Sequence, residues 1–392
     1  MEIDRASYIY DAVRTPFGRY GRSLAHVRPD DLASASMASL LERHPDLDPA
    51  LIDDVILGDA NQAGEDNRNV ARMASLLAGI PTSVPAATVN RLCGSSIESV
   101  IQASRAIESG DADLVLAGGV ESMSRAPWVM LKPEQGYPAS AATMWSSTLG
   151  WRMTNPRLRE AWTVSNGQSA ELLAERYSID RDAQDAFALR SHSNAGAAWA
   201  TGAFAEVIPV LGADFSTDEG IRADTSLAAL GRLQPSFRDH GTVTPGNSSP
   251  LSDGAAMVFV GSDHAPLTGP PLARITGRAA SGIDPEMFGI GPVEAANRAL
   301  SRAGRTWADV DLVELNEAFA SQSLACLQLW PELDPERVNV HGGAIALGHP
   351  LGASGARIIG HLAHELARRG GGVGVAAICI GVGQGLAIVL EA

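Results

Sequence analysis

Apolar and polar positions follow two matching series along this chain. In the first, the apolar run of "DDVILGDANQ" (Asp53–Gln62) precedes "ATVNRLCGSS", a helical pattern follows, and "DADLVLAGGVESMS" (Asp111–Ser124) closes the series. In the second, "DVDLVELNEAFA" (Asp309–Ala320) precedes "RVNVHGGAIALGHPLGASGAR", then a helical pattern, then "GVGVAAICIGVGQG" (Gly372–Gly385). Ile97, Val100, Ile101 and Ile107 share one helical face, which Gly110 ends. Ile358, Ile359, Leu362 and Leu366 share the other, with Arg368 and Arg369 suiting the helix dipole and Gly370 as the stop. Short apolar runs alternating with helices predict βαβ units, largely parallel sheets and a duplicated α/β domain. Sites are then expected at the carboxyl ends of strands.

Residues 122–249 break the pattern. They carry Pro127, Pro133, Pro138 and Pro156, the aromatics Trp128, Trp145, Trp151 and Trp162, and one clear helix, "DRDAQDAFALRSHSNAGAAWATG" (Asp180–Gly202). A long irregular insertion reads as a lid or ligand-binding segment, or else as an oligomerisation or surface embellishment.

Composition narrows the classes. A chain of 392 residues exceeds one ordinary core. No run approaches the length of a membrane span, the start lacks an apolar signal-peptide core, and "AIVLEA" is no peroxisomal address. Cys93, Cys326 and Cys379 lie too far apart for a disulfide framework or zinc knuckle, so a reducing cytoplasm is expected. The net charge of −15, with Lys132 as the only lysine, disfavours nucleic acid and anionic membranes as partners. An anionic ligand would have to be held by arginines.

Four segments could carry chemistry. Cys93 stands at a helix mouth, where unpaired N–H groups lower a thiol pKa, although a lone cysteine is also read as inert core. "HGGAIALGHPLGASG" presents His349 on a rigid turn before Pro350. "CIGVGQG" offers backbone N–H groups at Gly381, Gly383 and Gly385, while Cys379 alone reads as core. Asn316 of "NEAFA" could orient a water or His349, or simply cap a turn.

Together "NRLCGSS", "AGGVESMSRAP", "TVTPGNSSPLSDGAA", "NEAFA", "NVHGGAIALGHPLGASGAR" and "CIGVGQG" resemble the thiolase family, in its order and approximate spacing over essentially the whole chain. The resemblance implies two similar βαβαβαββ domains packed as five layers, α-β-α-β-α, with an inserted loop domain. The implied division is residues 1–121 with 250–270, the insertion 122–249, and 271–392. It implies coenzyme A-dependent cleavage of a 3-ketoacyl-CoA to acetyl-CoA and a shortened acyl-CoA, as in fatty acid β-oxidation, or the reverse Claisen condensation. In that reading Cys93 is the acylated nucleophile, His349 activates it, and Cys379 is the acid/base. Asn316 holds a water that, with His349, stabilises an enolate oxygen, and the N–H groups of Cys93 and Gly381 form a second oxyanion site. Acyl-CoA and coenzyme A are substrates; no metal or resident cofactor is implied. The inventory suits splitting a carbon–carbon bond between thioesters, which needs a soft nucleophile, an oxyanion site and a proton donor.

For coenzyme A the resemblance points to Arg222, Leu233, Ser236, Phe237, Ser249, Ala318 and Phe319. A homodimer or homotetramer is implied. Three positions depart from the family pattern: His341 replaces an asparagine, Asn166 a methionine, and Phe288 a common methionine. The last two fall where the acyl group should lie. Several stretches look closest to the β-ketoadipyl-CoA branch, whose substrate carboxylate needs a partner in the acyl pocket. Arg152 and Arg157 are the candidates, whereas Phe288 favours an apolar tail. A 3-ketoacyl synthase or hydroxymethylglutaryl-CoA synthase would lack the second cysteine, and a non-catalytic carrier would be expected to have lost Cys93, His349 or Cys379.

Overall fold

The computed structural model describes residues 5–210 and 215–392. The first series folds as strands β1 (Ser7–Arg14), β2 (Gly18–Arg19), β3 (Asp54–Gly58), β4 (Ala86–Val89) and β5 (Leu114–Ser122). Among them run helices α1 (Pro29–Glu42), α2 (Val70–Leu77) and α3 (Ser95–Ser109). The intervening segment holds the paired short strands β6 (Trp128–Val129) and β7 (Trp145–Ser146), then α4 (Asn166–Arg176), α5 (Arg181–Thr201) and α6 (Leu227–Leu230). Strand β8 (Ser252–Gly261) returns to the first half. The second half comprises β9 (Ala273–Gly282), α7 (Gly291–Ala303), β10 (Leu312–Leu315), α8 (Ala320–Leu329), α9 (Ala344–Leu347), α10 (Leu351–Arg369), β11 (Val373–Ile380) and β12 (Gln384–Glu391).

Glycine and capping chemistry set the ends of the long helices. α3, α5 and α10 stop at Gly110, Gly202 and Gly370, each left-handed (φ 84°, 72° and 85°), where a side chain would be strained. The Asp180 carboxylate accepts the Ala183 N–H and starts α5. Among the described residues no helix is long and apolar enough to cross a membrane.

The strands join in the order β10-β11-β12-β9-β1-β8-β5-β3-β4, with β2 beside β8. The two halves repeat one another: β4-β3-β5-β8-β1 on one side, β10-β11-β12-β9 on the other. Val338 bridges Val313 in parallel where the first half has β4. The halves meet where Ser7–Ile9 pairs with Ala273–Ile275. The expected largely parallel sheets are in fact mixed. Among the described residues only the strand pairs β3–β4, β3–β5 and β10–β11 run parallel; the other strand pairs are antiparallel. Parallel neighbours need a crossover, which the helices supply in those places. β12 follows β11 through a three-residue turn, and a connection that short permits only a hairpin.

Burial separates the layers. Ile97, Val100 and Ile101 of α3 and Ile358, Ile359 and Leu362 of α10 share one core with Val115 and Val258 of the first half and Ile378 and Ile388 of the second. The opposite strand faces, carrying Leu114, Leu116 and Phe259, pack under Leu32, Met37 and Val70 of α1 and α2. Val375, Ala377 and Val389 pack likewise under Ala295, Leu300 and Cys326 of α7 and α8. The result is five layers, α-β-α-β-α, with α3 and α10 in the middle.

The start of α10 touches the strand ends of the first half through bare backbone. A Cβ on Gly119 would overlap the Gly352 carbonyl oxygen, and one on Gly352 would overlap that of Val120. Neither neighbour is a flexible side chain that can swing away. Gly119→Ala is therefore expected to destabilise the protein by about 1–3 kcal/mol or more, read as a lowered denaturation midpoint. An unchanged midpoint would show that this contact is loose.

Candidate active site

Cys93 sits in the turn Leu92–Gly94 between β4 and α3. Leu92 is held at φ 47°, a conformation leucine rarely adopts. Its neighbours over-determine it. The Leu92 N–H donates to Asn90 Oδ1 (2.9 Å), and Ser95 Oγ donates to the Leu92 carbonyl (2.6 Å) while accepting the Arg91 N–H (2.9 Å). Gly94 has no room for a side chain, because a Cβ would lie 2.5 Å from Ile380 Cδ1. The turn thus abuts the end of β11.

The N–H of Gly381 and that of Cys93 itself are directed at the Cys93 sulfur. Both favour thiolate. Burial nevertheless prevails, and the thiol is pushed up to about 11, with Glu121 adding to the rise. The lowered pKa expected from the helix mouth is therefore corrected: a cysteine only 6 % exposed loses more from desolvation than the backbone N–H groups return. At neutral pH the thiol is protonated.

His349 lies between Gly348, at φ 114°, and Pro350. Its backbone N–H donates to Ser252 Oγ (3.1 Å), its Nδ1 is 2.6 Å from Ser354 Oγ, and its Nε2 is 3.4 Å from Asn316 Nδ2. Ser354 Oγ also lies 2.9 Å from the Pro350 carbonyl. One hydroxyl proton can serve both bonds only if it goes to that carbonyl while Nδ1–H donates to Oγ. Nε2 is then unprotonated and accepts the long bond from Asn316 Nδ2. Burial, and next the Arg357 cation, hold the imidazole down to about 3, so it is neutral over the working range. Asn316 follows β10, its N–H donating to the Ala377 carbonyl of β11 (3.0 Å). Its Oδ1 is buried without a protein partner beside His349.

Cys379 pairs across the hairpin with Gly385 and is fully buried against Phe288 and Ala318. Burial pushes its thiol well above the usual range, and Cys93 then Cys326 add to it. Cys326 lies in the outer α8 layer and donates to the Gly289 carbonyl (3.3 Å).

The predicted coenzyme A residues mostly form one wall. Ser249 bonds the Ala318 carbonyl through N–H (3.0 Å) and Oγ (3.1 Å), Ser248 bridges Phe319, and Phe237 meets Phe319 edge-on with centroids 6.0 Å apart. Leu233 packs over Gly246, and the Ser236 N–H donates to the Val243 carbonyl (3.0 Å). Arg222 makes none of these contacts. Its N–H donates to His192 Nδ1 on α5 (3.2 Å), and the residue is exposed. Asn166 opens α4 and reaches the site: a Cβ on Gly381 would lie 3.4 Å from its Oδ1. His341 is 3.0 Å from His361, as suits its structural reading.

The two candidate arginines part company. Arg157 is exposed and bonds Asn155 of its own loop. Arg152 is half-buried, 3.5 Å from the Ser147 carbonyl, and Ser147 Oγ accepts from Asn61 Nδ2 (2.9 Å) at the end of β3. Sequence reasoning missed Ser252, Ser354 and Glu121. Ser354 alone had a signal, lying five residues after His349 in the first turn of the next helix.

Two family models match the chain: "Thiolase, N-terminal domain" over residues 7–264 and "Thiolase, C-terminal domain" over residues 269–392. A 3-oxoadipyl-CoA/3-oxo-5,6-dehydrosuberyl-CoA thiolase of Escherichia coli is 49 % identical, covering 99 % of both chains. A beta-ketoadipyl-CoA thiolase of Pseudomonas aeruginosa is also 49 % identical, over 99 % of this chain and 100 % of that one. The crystal structure of human mitochondrial 3-ketoacyl-CoA thiolase in complex with CoA superposes with a TM-score of 0.92 at 40 % identity, covering 100 % of this chain and 99 % of the other. Similarity of this extent, running through both halves and the segment between them, means that the chain belongs to the thiolase family and is a coenzyme A-dependent acyltransferase.

Proposed function

We propose that this thiolase cleaves 3-oxoadipyl-CoA with coenzyme A to succinyl-CoA and acetyl-CoA, a step of aromatic degradation rather than of fatty acid β-oxidation. The observation that carries the reading is near-half identity, end to end, to relatives named for that substrate.

His349 Nε2 takes the Cys93 proton, and the thiolate attacks the 3-oxo carbon. The N–H groups of Cys93 and Gly381, already directed at the sulfur, receive the oxyanion. Breaking the C2–C3 bond leaves succinyl-Cys93 and the enolate of acetyl-CoA. The enolate oxygen is held by the imidazolium Nε2–H and by a water on Asn316, whose buried Oδ1 is free to accept from it. Cys379, kept protonated by burial, delivers its proton to C2 and becomes thiolate. It then takes the thiol proton of coenzyme A, whose sulfur attacks the acyl group. Cys93 leaves as thiolate and recovers its proton from His349. Every proton is returned.

The free carboxylate of the acyl tail requires a cation or donors. Arg152, half-buried beside Ser147, supports this reading, while the exposed Arg157 does not. A second reading, an uncharged acyl tail, draws on Phe288, which is 2 % exposed against Cys379. We also propose a homo-oligomer. Its support is the unpaired outer edge of β4 and the exposed Trp128, Met130 and Leu131 of the insertion.

Incubation with acetyl-CoA followed by peptide mass spectrometry is expected to find acetyl on Cys93. Label on Cys379 or Cys326 with Cys93 free would refute the mechanism. Steady-state kinetics are expected to give a higher kcat/KM for 3-oxoadipyl-CoA than for 3-oxohexanoyl-CoA. That preference should fall at least about tenfold, or about 1.4 kcal/mol, in Arg152→Ala. Equal or better use of the uncharged substrate by the wild type would overturn the dicarboxylate reading. Light scattering is expected to report an oligomer at micromolar concentration, and a monomer would remove the oligomer proposal.

A further inference from the structure

Glu121 lies one residue from the end of β5 and is 2 % exposed. Its Oε2 accepts the N–H groups of Ala60 (3.0 Å) and Gly352 (2.9 Å), and its Oε1 accepts that of Asn61 (3.2 Å). Ala60 and Asn61 follow the end of β3. Gly352 is in the first turn of α10, three residues beyond His349. One side chain therefore joins two strand ends of the first half to the turn of the second half that presents the histidine. The tie sits beside the Gly119–Gly352 backbone contact between the halves.

The chemistry of the tie calls for a carboxylate. Three donors converge on two oxygens, and an ionised carboxylate is the side-chain group of this length that only accepts. A glutamine would turn an amide N–H₂ toward one of those donors. The negative charge is kept there at a cost, since burial and the nearby Asp66 push Glu121 up to about 7. Asp59 and Cys93 are the other titratable groups that feel it. None of these four takes a salt bridge from an arginine or lysine in the structure, among the described residues.

We propose that Glu121 is a positioning residue of the thiolase reaction, its carboxylate clamping the His349 turn against the half that carries Cys93. This rests on Cys93 and His349 acting as assigned above. Glu121 touches no reacting atom. It acts through Gly352 and the turn before it, and its charge opposes premature ionisation of Cys93. Because the clamp needs the ionised form, kcat has an acid limb: activity rises with pH as Glu121 loses its proton and falls away below.

The test uses the full chain with Glu121→Gln and Glu121→Asp, folding checked by circular dichroism. The substrate is whichever of the two 3-oxoacyl-CoA thioesters the wild type turns over faster. Iodoacetamide alkylation of Cys93 is followed against pH by peptide mass spectrometry. Glu121→Gln is expected to lower kcat at least about tenfold while KM for coenzyme A stays within about twofold, as a small misplacement of a catalytic group does. Its Cys93 should alkylate at lower pH, because a neighbouring negative charge has gone. Glu121→Asp, too short to reach Gly352, should lose kcat yet keep the wild-type alkylation profile. Wild-type kcat in Glu121→Gln with normal Cys93 labelling overturns the clamp alone. If Glu121→Gln does not fold, Glu121→Asp decides, unchanged kcat overturning the clamp and a loss of at least about tenfold supporting it. Wild-type labelling at another cysteine overturns the nucleophile assignment and the clamp with it.

Discussion

The close approach of α3 and α10 is the contact on which the rest of the structure depends. The Ala356 N–H donates to Ser96 Oγ (2.9 Å), and a Cβ on Gly355 would lie 2.5 Å from the Ile97 nitrogen. Only the Ser96 and Ile97 side chains of α3 lie at this point, and α10 has no room for one of its own at Gly355. Each begins beside a functional group, α3 just after Cys93 and α10 just after His349. Packing the two helix starts together therefore brings the turn that carries Cys93 against the helix that follows His349, from opposite halves of a duplicated chain. The sheet accommodates this by continuing from one half to the other through β1 and β9, so that both halves press on the same helix pair. Small residues at the crossing are what make the separation short enough.

That placement sets the electrostatics. Cys93 and His349 are both buried, and burial opposes the charged form of each: the thiol rises to about 11 and the imidazole drops to about 3. The resting pair is neutral. A proton transferred between them creates thiolate and imidazolium at once, and this ion pair is stable only where donors are already in place. The Gly381 and Cys93 N–H groups meet the sulfur, and Ser354 meets the far nitrogen of the ring. Relative to an ordinary cysteine, the raised thiol represents about 3 kcal/mol withheld from the resting state. The same desolvation strengthens the attraction within the pair once it forms. A permanently ionised cysteine would instead be exposed to alkylation and oxidation.

Much of this was legible in the sequence, for identifiable reasons. Helix stops at Gly110, Gly202 and Gly370 are local, because a left-handed residue needs only its own backbone. Cys93, His349, Asn316 and Cys379 drew notice because each stands in a small-residue or glycine-rich segment beside a strand end or helix start, but their roles came from the resemblance to the thiolase family and not from those segments alone. What escaped depends on the other half of the chain. The sign of the Cys93 shift turns on how deeply β11 buries the sulfur, which no local motif reports. The antiparallel pairing of β8 turns on where the chain returns after the long insertion. Arg222 carried a sequence match, and its backbone bond is to His192 of α5, a partner that no match in order reports.

The acidity of the chain has a different meaning once the fold is known. Among the described residues fourteen aspartates and glutamates are buried against two arginines, Arg14 and Arg357, so much of the formal excess of −15 lies inside. These carboxylates recur in one use, collecting backbone N–H groups of loops that no ladder satisfies. Glu171 holds Thr242 and Val243, Asp218 holds Phe17, Asp253 holds Ser124, and Glu317 holds Ile345. Asp218 and Asp253 reach between the insertion and the first half, and Asp218 also takes a two-pronged bond from Arg14 (2.6 and 2.9 Å). The apolar clusters under the insertion are small, five residues at Phe187 and five at Ala195, too few to select one seating by shape alone. Directional bonds supply what the small clusters lack, since a misplaced loop leaves a buried carboxylate unpaired at a cost of several kcal/mol. The insertion is thereby seated in one position, and the residues that it brings to the site, Asn166 beside Gly381 and Phe237 beside Phe319, inherit that precision.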